Sequence, residues 1–286
     1  MPNAGLRVRV APIETEPSPR GLLGGCVPVI QAGSVHELNG TDVPAFNCAP
    51  ASPWQDCPDP AGGWTNPASK VTNRLGYCSF EPVTAYSKVD CSAVGLSFEE
   101  SQAAALEQVR LGEQAVLEEW FMRRGLSWLA FGNDLTPGAG AVHIAQGIGL
   151  LEAWLSTEYG GRGVIHVPVG AATLVSMNRL TDWPGEGNPT TLVGNCVVLG
   201  GGYSANVGPA EAPAAGAVAP AGEAWLYATG AMRIRRDQAA NVFENEWQGI
   251  NTSVNDRTAA AETTFVPEVD CCMAAAVRIT LNPCCA

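Results

Sequence analysis

The sequence predicts an α+β fold, and three observations predict it. A capping box opens one long amphipathic helix over residues 97–124, the second half of the chain alternates helical and strand patterns, and the stretch in front of the helix holds neither for long. Residues 1–95 contain 12 of the chain's 21 prolines. Proline removes backbone donors and interrupts ladders, so this first third looks unable to fold by itself.

Within that third, short alternating pieces occur at Arg7-Val8-Arg9-Val10 and at Val83-Thr84-Ala85-Tyr86-Ser87. Alternation suits strands or extended arms laid against a neighbour. Residues 44–67 form a loop between them. Disordered segments lack aromatics, whereas residues 1–95 carry Phe46, Trp54, Trp64, Tyr77, Phe80 and Tyr86, so order is expected, supplied by contacts between copies of the chain.

The long helix begins at Ser97-Phe98-Glu99-Glu100, where the Ser hydroxyl and the Glu carboxylate can satisfy orphan amides at a helix start. Ala105, Val109, Val116 and Trp120 recur with Gly112 at three- and four-residue spacing, which predicts one buried stripe. Glu107, Glu113, Glu118 and Glu119 are expected to point elsewhere, and Gly125 to end the helix. A second helix is marked by Ala141, Ile144, Ala145, Ile148, Leu151, Trp154 and Leu155 and closed by Gly160-Gly161. The run Gly163-Val164-Ile165-His166-Val167 then predicts a strand covered on both faces, after which Pro168 opens a helix through Leu174, Met177 and Leu180.

Cys196-Val197-Val198-Leu199 is a further strand, and residues 208–222, almost wholly Ala, Pro, Gly, Val and Glu, predict a mobile surface loop. Residues 223–230 and the alternating Met232-Arg233-Ile234-Arg235 are strands. Residues 252–264 and 274–281 predict a final pair of long strands joined as a β-ribbon.

At 286 residues and 46% hydrophobic, the chain can bury one large core or two modest ones. Its formal charge of −12 argues against a nucleic-acid clamp or a binder of anionic membranes. No run of 18 apolar residues exists to span a bilayer, and Glu14, Glu16, Pro17 and Pro19 stand where a signal peptide needs an unbroken apolar stretch. Leu23-Gly24-Gly25-Cys26 matches a lipoprotein cleavage box by chance, for the same reason. The expected address is the cytoplasm. None of the ten cysteines forms a Cys-x-x-Cys pair, so most are read as small buried apolar residues rather than as zinc or redox ligands. A second reading pairs some of them as disulfides outside the reducing cytoplasm, closing the loop between Cys48 and Cys57 for example.

Catalytic constellations are not found. His36 falls in a polar loop, His143 on an outer helical turn, and His166 inside a strand, where a satisfied core histidine is expected rather than a base. Gly202-Tyr203-Ser204-Ala205-Asn206 misses the nucleophile elbow at its second glycine, and Gly200-Gly201-Gly202 lacks the Lys-Ser/Thr of a phosphate loop. Neighbouring helix carboxylates face different ways and no Glu-x-x-His accompanies them, so no metal, cofactor or enzymatic activity is predicted. Arg233, Arg235 and Arg236 suit salt links to an acidic neighbouring chain. Assembly is favoured over catalysis.

The order of parts resembles the major capsid proteins of tailed bacteriophages, the Hong Kong ninety-seven-type fold that encapsulin shells share. Glu158-Tyr159-Gly160-Gly161-Arg162-Gly163-Val164-Ile165-His166-Val167-Pro168, followed by Thr191-Leu192-Val193-Gly194-Asn195-Cys196-Val197-Val198-Leu199-Gly200-Gly201-Gly202-Tyr203, is similar to shell proteins of actinobacterial phages. Trp225-Leu226-Tyr227-Ala228-Thr229-Gly230 and Ala260-Ala261-Glu262-Thr263-Thr264-Phe265 continue the likeness.

The resemblance implies an N-terminal arm over 1–33, an extended loop over 34–92, a peripheral domain over 93–140 and 231–286 that contains the spine helix 97–124, and an axial domain over 141–230. It implies a shell subunit that forms hexamers and pentamers in a host cytoplasm, ends in the virion, encloses DNA without reading its sequence and binds no membrane. Scaffolding, portal or decoration proteins are possible partners on this reading. Trp54, Trp64, Phe80, Tyr86, Arg233 and Arg235 are the candidate inter-subunit contacts. Some relatives crosslink subunits through a Lys and an Asn; the two lysines here, Lys70 and Lys88, both fall in the loop, with Asn241, Asn245, Asn251 and Asn255 in the returning segment. The alternatives are an encapsulin-like compartment or, from another class, a cytoplasmic enzyme.

Overall fold

The computed structural model describes residues 12–45, 76–92, 97–185, 187–211, 216–243, 245, 247–251, 253, 256–270 and 274–282. In chain order its elements begin with β1 (Val29–Gln31), β2 (Thr41–Ala45), β3 (Gly76–Phe80) and β4 (Val83–Ser92). Helix α1 (Phe98–Trp120) follows, then α2 (Ser127–Leu129), α3 (Ile144–Trp154), β5 (Val164–Pro168) and α4 (Ala172–Met177). The remainder is strand: β6 (Thr181–Asp182), β7 (Thr190–Thr191), β8 (Cys196–Gly200), β9 (Glu223–Thr229), β10 (Met232–Arg236), β11 (Ala240–Asn241), β12 (Ile250–Asn251), β13 (Asp256–Val269) and β14 (Ala274–Thr280).

Two six-stranded sheets carry the fold. The first is built on β13, which pairs β10, β11 and β12 and also runs antiparallel to β4 over ten positions, from Asp256 opposite Ser92 to Phe265 opposite Val83. Along β4 the pattern has period two: Val83 and Ala85 are buried while Thr84, Tyr86, Lys88 and Asp90 are exposed, so one face is covered and the other open. The second sheet has the order β14-β9-β5-β8-β7-β6. Every residue of β5 and β8 is buried, as continuous apolar runs in a parallel pair require.

A hydrophobic cluster joins the two sheets, with Leu117, Phe121, Met122 and Leu126 meeting Phe265 and Ile234 from one and Val164, Val198 and Tyr227 from the other. The opposite face of the second sheet packs on α3 and α4 through Ile144, Ile148, Leu151, Leu174 and Val175.

The long helix starts as expected: Glu100 N donates to Ser97 Oγ at 3.1 Å and Ser97 N to Glu100 Oε2 at 2.8 Å. Its buried stripe keeps Ala105 and Val109 of the predicted one and then departs from it. Ser101, Ala105, Val109, Glu113 and Leu117 line it at four-residue spacing, with Gln114 and Glu118 beside them, whereas Val116 is 42% exposed. Two of the four glutamates expected in water are therefore inside. Nor does Gly125 end the helix. The chain passes through it as a π-helical turn, Phe121–Leu126, into α2. A Cβ on Gly125 would lie 2.5 Å from the Phe121 ring, so the glycine serves a close approach and not a stop.

Three other expectations are corrected. β13 and β14 do not form a ribbon, because β14 pairs β9 in the second sheet, from Ala274 opposite Thr229 to Thr280 opposite Glu223. Ala274, Ala275, Ala276 and Val277 are all buried there, a demand for cover on both faces that a projecting ribbon could not meet. The loop 208–222 is tied at its start to α2: Ala210 N donates to Ser127 O at 2.7 Å, and Ser127 Oγ to Gly208 O at 2.7 Å. And part of the first third takes its order from its own chain. Leu22 and Val27 are buried in the main cluster, and β1 lies parallel to β10. The candidate strand at residues 7–10 lies outside the described residues.

Candidate assembly surfaces

Residues 15–27 cross α1 and reach the second sheet, held by polar contacts that converge on one carboxylate. Glu118 Oε1 accepts from Leu22 N and Oε2 from Gly202 N, both at 2.8 Å. Burial raises the pKa of Glu118, opposed by the backbone bonds from Leu22, Gly202 and Gly201. The approach is close: a Cβ on Gly202 would stand 2.2 Å from Ala115 O. Around it, Gln114 Nε2 donates to Ser18 O at 3.2 Å, Leu199 N to Arg20 O at 2.9 Å, and Asn188 Nδ2 to Gly21 O at 3.0 Å. Arg20 extends to Gly187 O at 3.0 Å and stacks over Trp183, 5.1 Å from the ring centroid.

A disulfide joins Cys26 to Cys196 at the start of β8, with the Cα atoms 6.0 Å apart. Cys78 is disulfide-bonded as well. Pairing of some cysteines, the second reading of them, is thus what these residues show, while the loop between Cys48 and Cys57 lies outside the described residues.

A second polar cluster sits at the base of the β2–β3 hairpin. Glu268, 2% exposed, accepts from Arg233 and, at 2.6 Å, from Arg235 Nε, while Arg235 Nη1 reaches Glu37 at 2.7 Å. Burial pushes the Glu268 carboxyl up, but the hydrogen bonds from Arg233 and Arg235 outweigh it and hold it below the usual range. Arg236 reaches the buried Glu113 at 3.1 Å. The arginines expected to seek acids on a neighbouring chain thus find acids on their own, brought there by the fold from residues 37, 113 and 268.

Of the candidate contacts, Trp54 and Trp64 lie outside the described residues. Phe80 ends β3 partly buried and lines an open groove of about 430 Å³ with Trp120, Arg124, Trp128, Leu129 and Pro267. Tyr86 stands 70% exposed on the open face of the first sheet, opposite Glu262. The candidates therefore fall in three places rather than one. Sequence reasoning missed Glu118, Asn188 and the Cys26–Cys196 pair. A signal existed for the buried glutamates, since Glu113 stands four residues from both Val109 and Leu117.

His166 is the satisfied core histidine expected of it. It is fully buried, with Nδ1 2.8 Å from Tyr203 Oη and Nε2 3.1 Å from Thr229 Oγ1, and burial lowers its pKa to about 3. No helix among the described residues is long and apolar enough to cross a membrane.

No family model matches the chain, and no curated protein matches it in sequence. Solved structures do. A chain from Microbacterium phage Oxtober96 is 14% identical, with 95% of each chain covered and a TM-score of 0.54. A chain from Mycobacterium phage Bobi is 15% identical over 95% of each, with a TM-score of 0.51. The capsid of the native GTA particle is 12% identical, covering 94% of this chain and 100% of that one, with a TM-score of 0.55. The α+β fold expected for this chain is thus the one it has, shared over 94–95% of its length with a capsid chain and with chains from phages.

Proposed function

We propose that this chain is a structural shell subunit that assembles into the icosahedral capsid of a tailed double-stranded DNA bacteriophage. The observation that carries the reading is the likeness to the GTA capsid chain, which covers 94% of this chain and the whole of that one and so extends over far more than a local motif. A sheet with one open face and an open groove at Phe80 suit a subunit completed by neighbours. In a closed shell the same surface meets several slightly different neighbours in hexamers and pentamers.

On this reading residues 1–33 are the arm and 34–92 the extended loop, and the spine helix runs to residue 129. The axial unit is 141–230 with β14 added, and the peripheral unit keeps 93–140 and 231–270. Trp54, Trp64, Phe80 and Tyr86 face neighbouring subunits, with Arg233 and Arg235 steadying the loop base from within. The net charge of −12 lets the shell enclose DNA without gripping it. Scaffolding, portal and decoration proteins are the partners such a shell takes, in a virion assembled in the host cytoplasm.

Electron microscopy and light scattering of the purified full chain over a range of concentrations and salt test this. Closed polyhedral shells or capsomers are expected. Discrete monomers or dimers under every condition would overturn it.

A further inference from the structure

We propose that Cys26 and Cys196 form a redox-operated lock, closed after residues 15–27 have already docked across α1. The two cysteines are 170 residues apart in sequence, yet their Cα atoms stand 6.0 Å apart, inside the range a disulfide spans. What brings them there is not the bond between them. Leu22 N on Glu118, Asn188 Nδ2 on Gly21 O, Leu199 N on Arg20 O and Arg20 on Gly187 O hold the segment to α1 and to residues 187–199 without any help from sulfur. Leu22 and Val27, 0% and 1% exposed, bracket Cys26 and fix its depth.

The thiols are therefore presented to each other by reversible contacts. Asn188 links the two systems, because the amide that holds Gly21 O also lies 3.3 Å from Cys26 Sγ. Cys26 is partly exposed and Cys196 is 9% exposed, so a small oxidant meets Cys26 first.

With a low-molecular-weight disulfide as co-reactant, the Cys26 thiolate attacks one of its sulfurs and expels a thiolate, forming a mixed disulfide. The Cys196 thiolate then attacks the Cys26 sulfur and expels the second thiolate, so two protein thiols are oxidised and one small disulfide is reduced to two thiols. In a reducing compartment the cysteines stay as thiols and the segment opens and recloses as a local unit. In an oxidising one it is fixed to β8. The lock concerns the single subunit and does not depend on the shell reading.

The test uses the purified full chain equilibrated with oxidised glutathione or with dithiothreitol, followed by alkylation, peptide mass spectrometry and hydrogen exchange. A Cys26–Cys196 linked peptide is expected only in the oxidised sample. The amides of Leu22 and Leu199 should exchange roughly tenfold or more faster after reduction, and reoxidation should restore their protection. Cys196→Ser should match the reduced protein under both conditions, and because the wild-type redox pair already carries the comparison, misfolding of that variant leaves the test intact. Cys26 alkylated in full after oxidation, or equal exchange at Leu22 in both states, would overturn the lock.

Discussion

The two sheets solve the problem of burial in opposite ways. In the second sheet β5, β8, β9 and β14 are covered on both faces, by α3 and α4 on one side and by the inter-sheet cluster on the other, and nearly every residue is apolar. In the first, β4 leaves the face that carries Tyr86 open, β13 is buried on both faces from Phe265 to Val269, and charge enters the structure at Glu113 and Glu268, each matched by arginine from β10. The difference teaches where each sheet obtains its stability. The second is covered by apolar residues on both faces, whereas the first shares the inter-sheet cluster on one face, adds paired charges, and leaves its other face open along β4.

The largest expected effect tests the doubly covered sheet. Leu226 is fully buried in β9 against α3, so Leu226→Ala should cost about 2–5 kcal/mol from lost transfer energy and a residual cavity. Urea unfolding of the subunit followed by circular dichroism measures it. A loss as small as that of a surface change would mean that this sheet is not self-sufficient.

Two buried carboxylates sharpen the comparison through pH, because their shifts have opposite sign. Glu118 has a folded-state pKa raised above 4.5, so its contribution is fully present below that value and is lost as pH rises through the folded pKa. Glu268 is lowered from 4.5, so its contribution is present above that value and is lost as pH falls through the folded pKa. The two slopes fall in separate windows, that of Glu118 above about 4.5 and that of Glu268 below it. Glu118→Gln should cost about 1–3 kcal/mol at neutral pH, since one of the two amides then faces an amide donor, and should remove the decline that the wild type shows as pH rises above about 4.5, leaving the acid-side loss unchanged. Glu268→Gln should remove the acid-side loss and leave stability that declines as pH rises. Urea midpoints of the three proteins from about pH 2.5 to about pH 8 check the signs, and identical slopes in all three would refute them.

A smaller effect is expected at Arg235, whose side chain bridges Glu268 and Glu37. Arg235→Ala leaves Glu268 with Arg233 and should cost about 1–2 kcal/mol in the same urea assay. Arg233→Ala removes a side chain that is 46% exposed and should cost under about 1 kcal/mol. Reversal of that order would show that exposure does not rank these pairs.

These contrasts also explain what the sequence could and could not tell. The strands 164–168 and 196–200 were legible because burial on both faces leaves an unbroken apolar run, and the helix start was legible because the capping box is local. Glu118 was not, since helical periodicity assigns carboxylates to water and the amides that satisfy it come from positions 96 and 84 residues away. The same holds for Cys26 with Cys196, and for β14, whose apolar run did not say which sheet it would join. Arg233 and Arg235 were legible as a charged pair, but their acids were misplaced onto another chain because Glu37 and Glu268 approach them only through the pairing of β10 with β13 and the packing at the hairpin base. Trp54 and Trp64 remain candidates on aromatic character alone.

The smallest effect on the lone subunit belongs to the open face, and it separates a solvated surface from an unfilled interface. Tyr86 is 70% exposed opposite Glu262, with the Lys88 ammonium 6.0 Å from its ring centroid, and covers little of its own chain. Tyr86→Ser should therefore shift subunit stability by under about 0.5 kcal/mol. If that face meets a neighbouring copy, the same change removes an aromatic anchor of the kind that dominates interfaces and should raise the concentration at which shells form by about tenfold, equivalent to about 1.4 kcal/mol per contact. Light scattering across a dilution series reads the second number and urea unfolding the first. A subunit effect with no assembly effect would assign Tyr86 to the fold, and the open face of the first sheet would then be a surface that water, not a neighbour, completes.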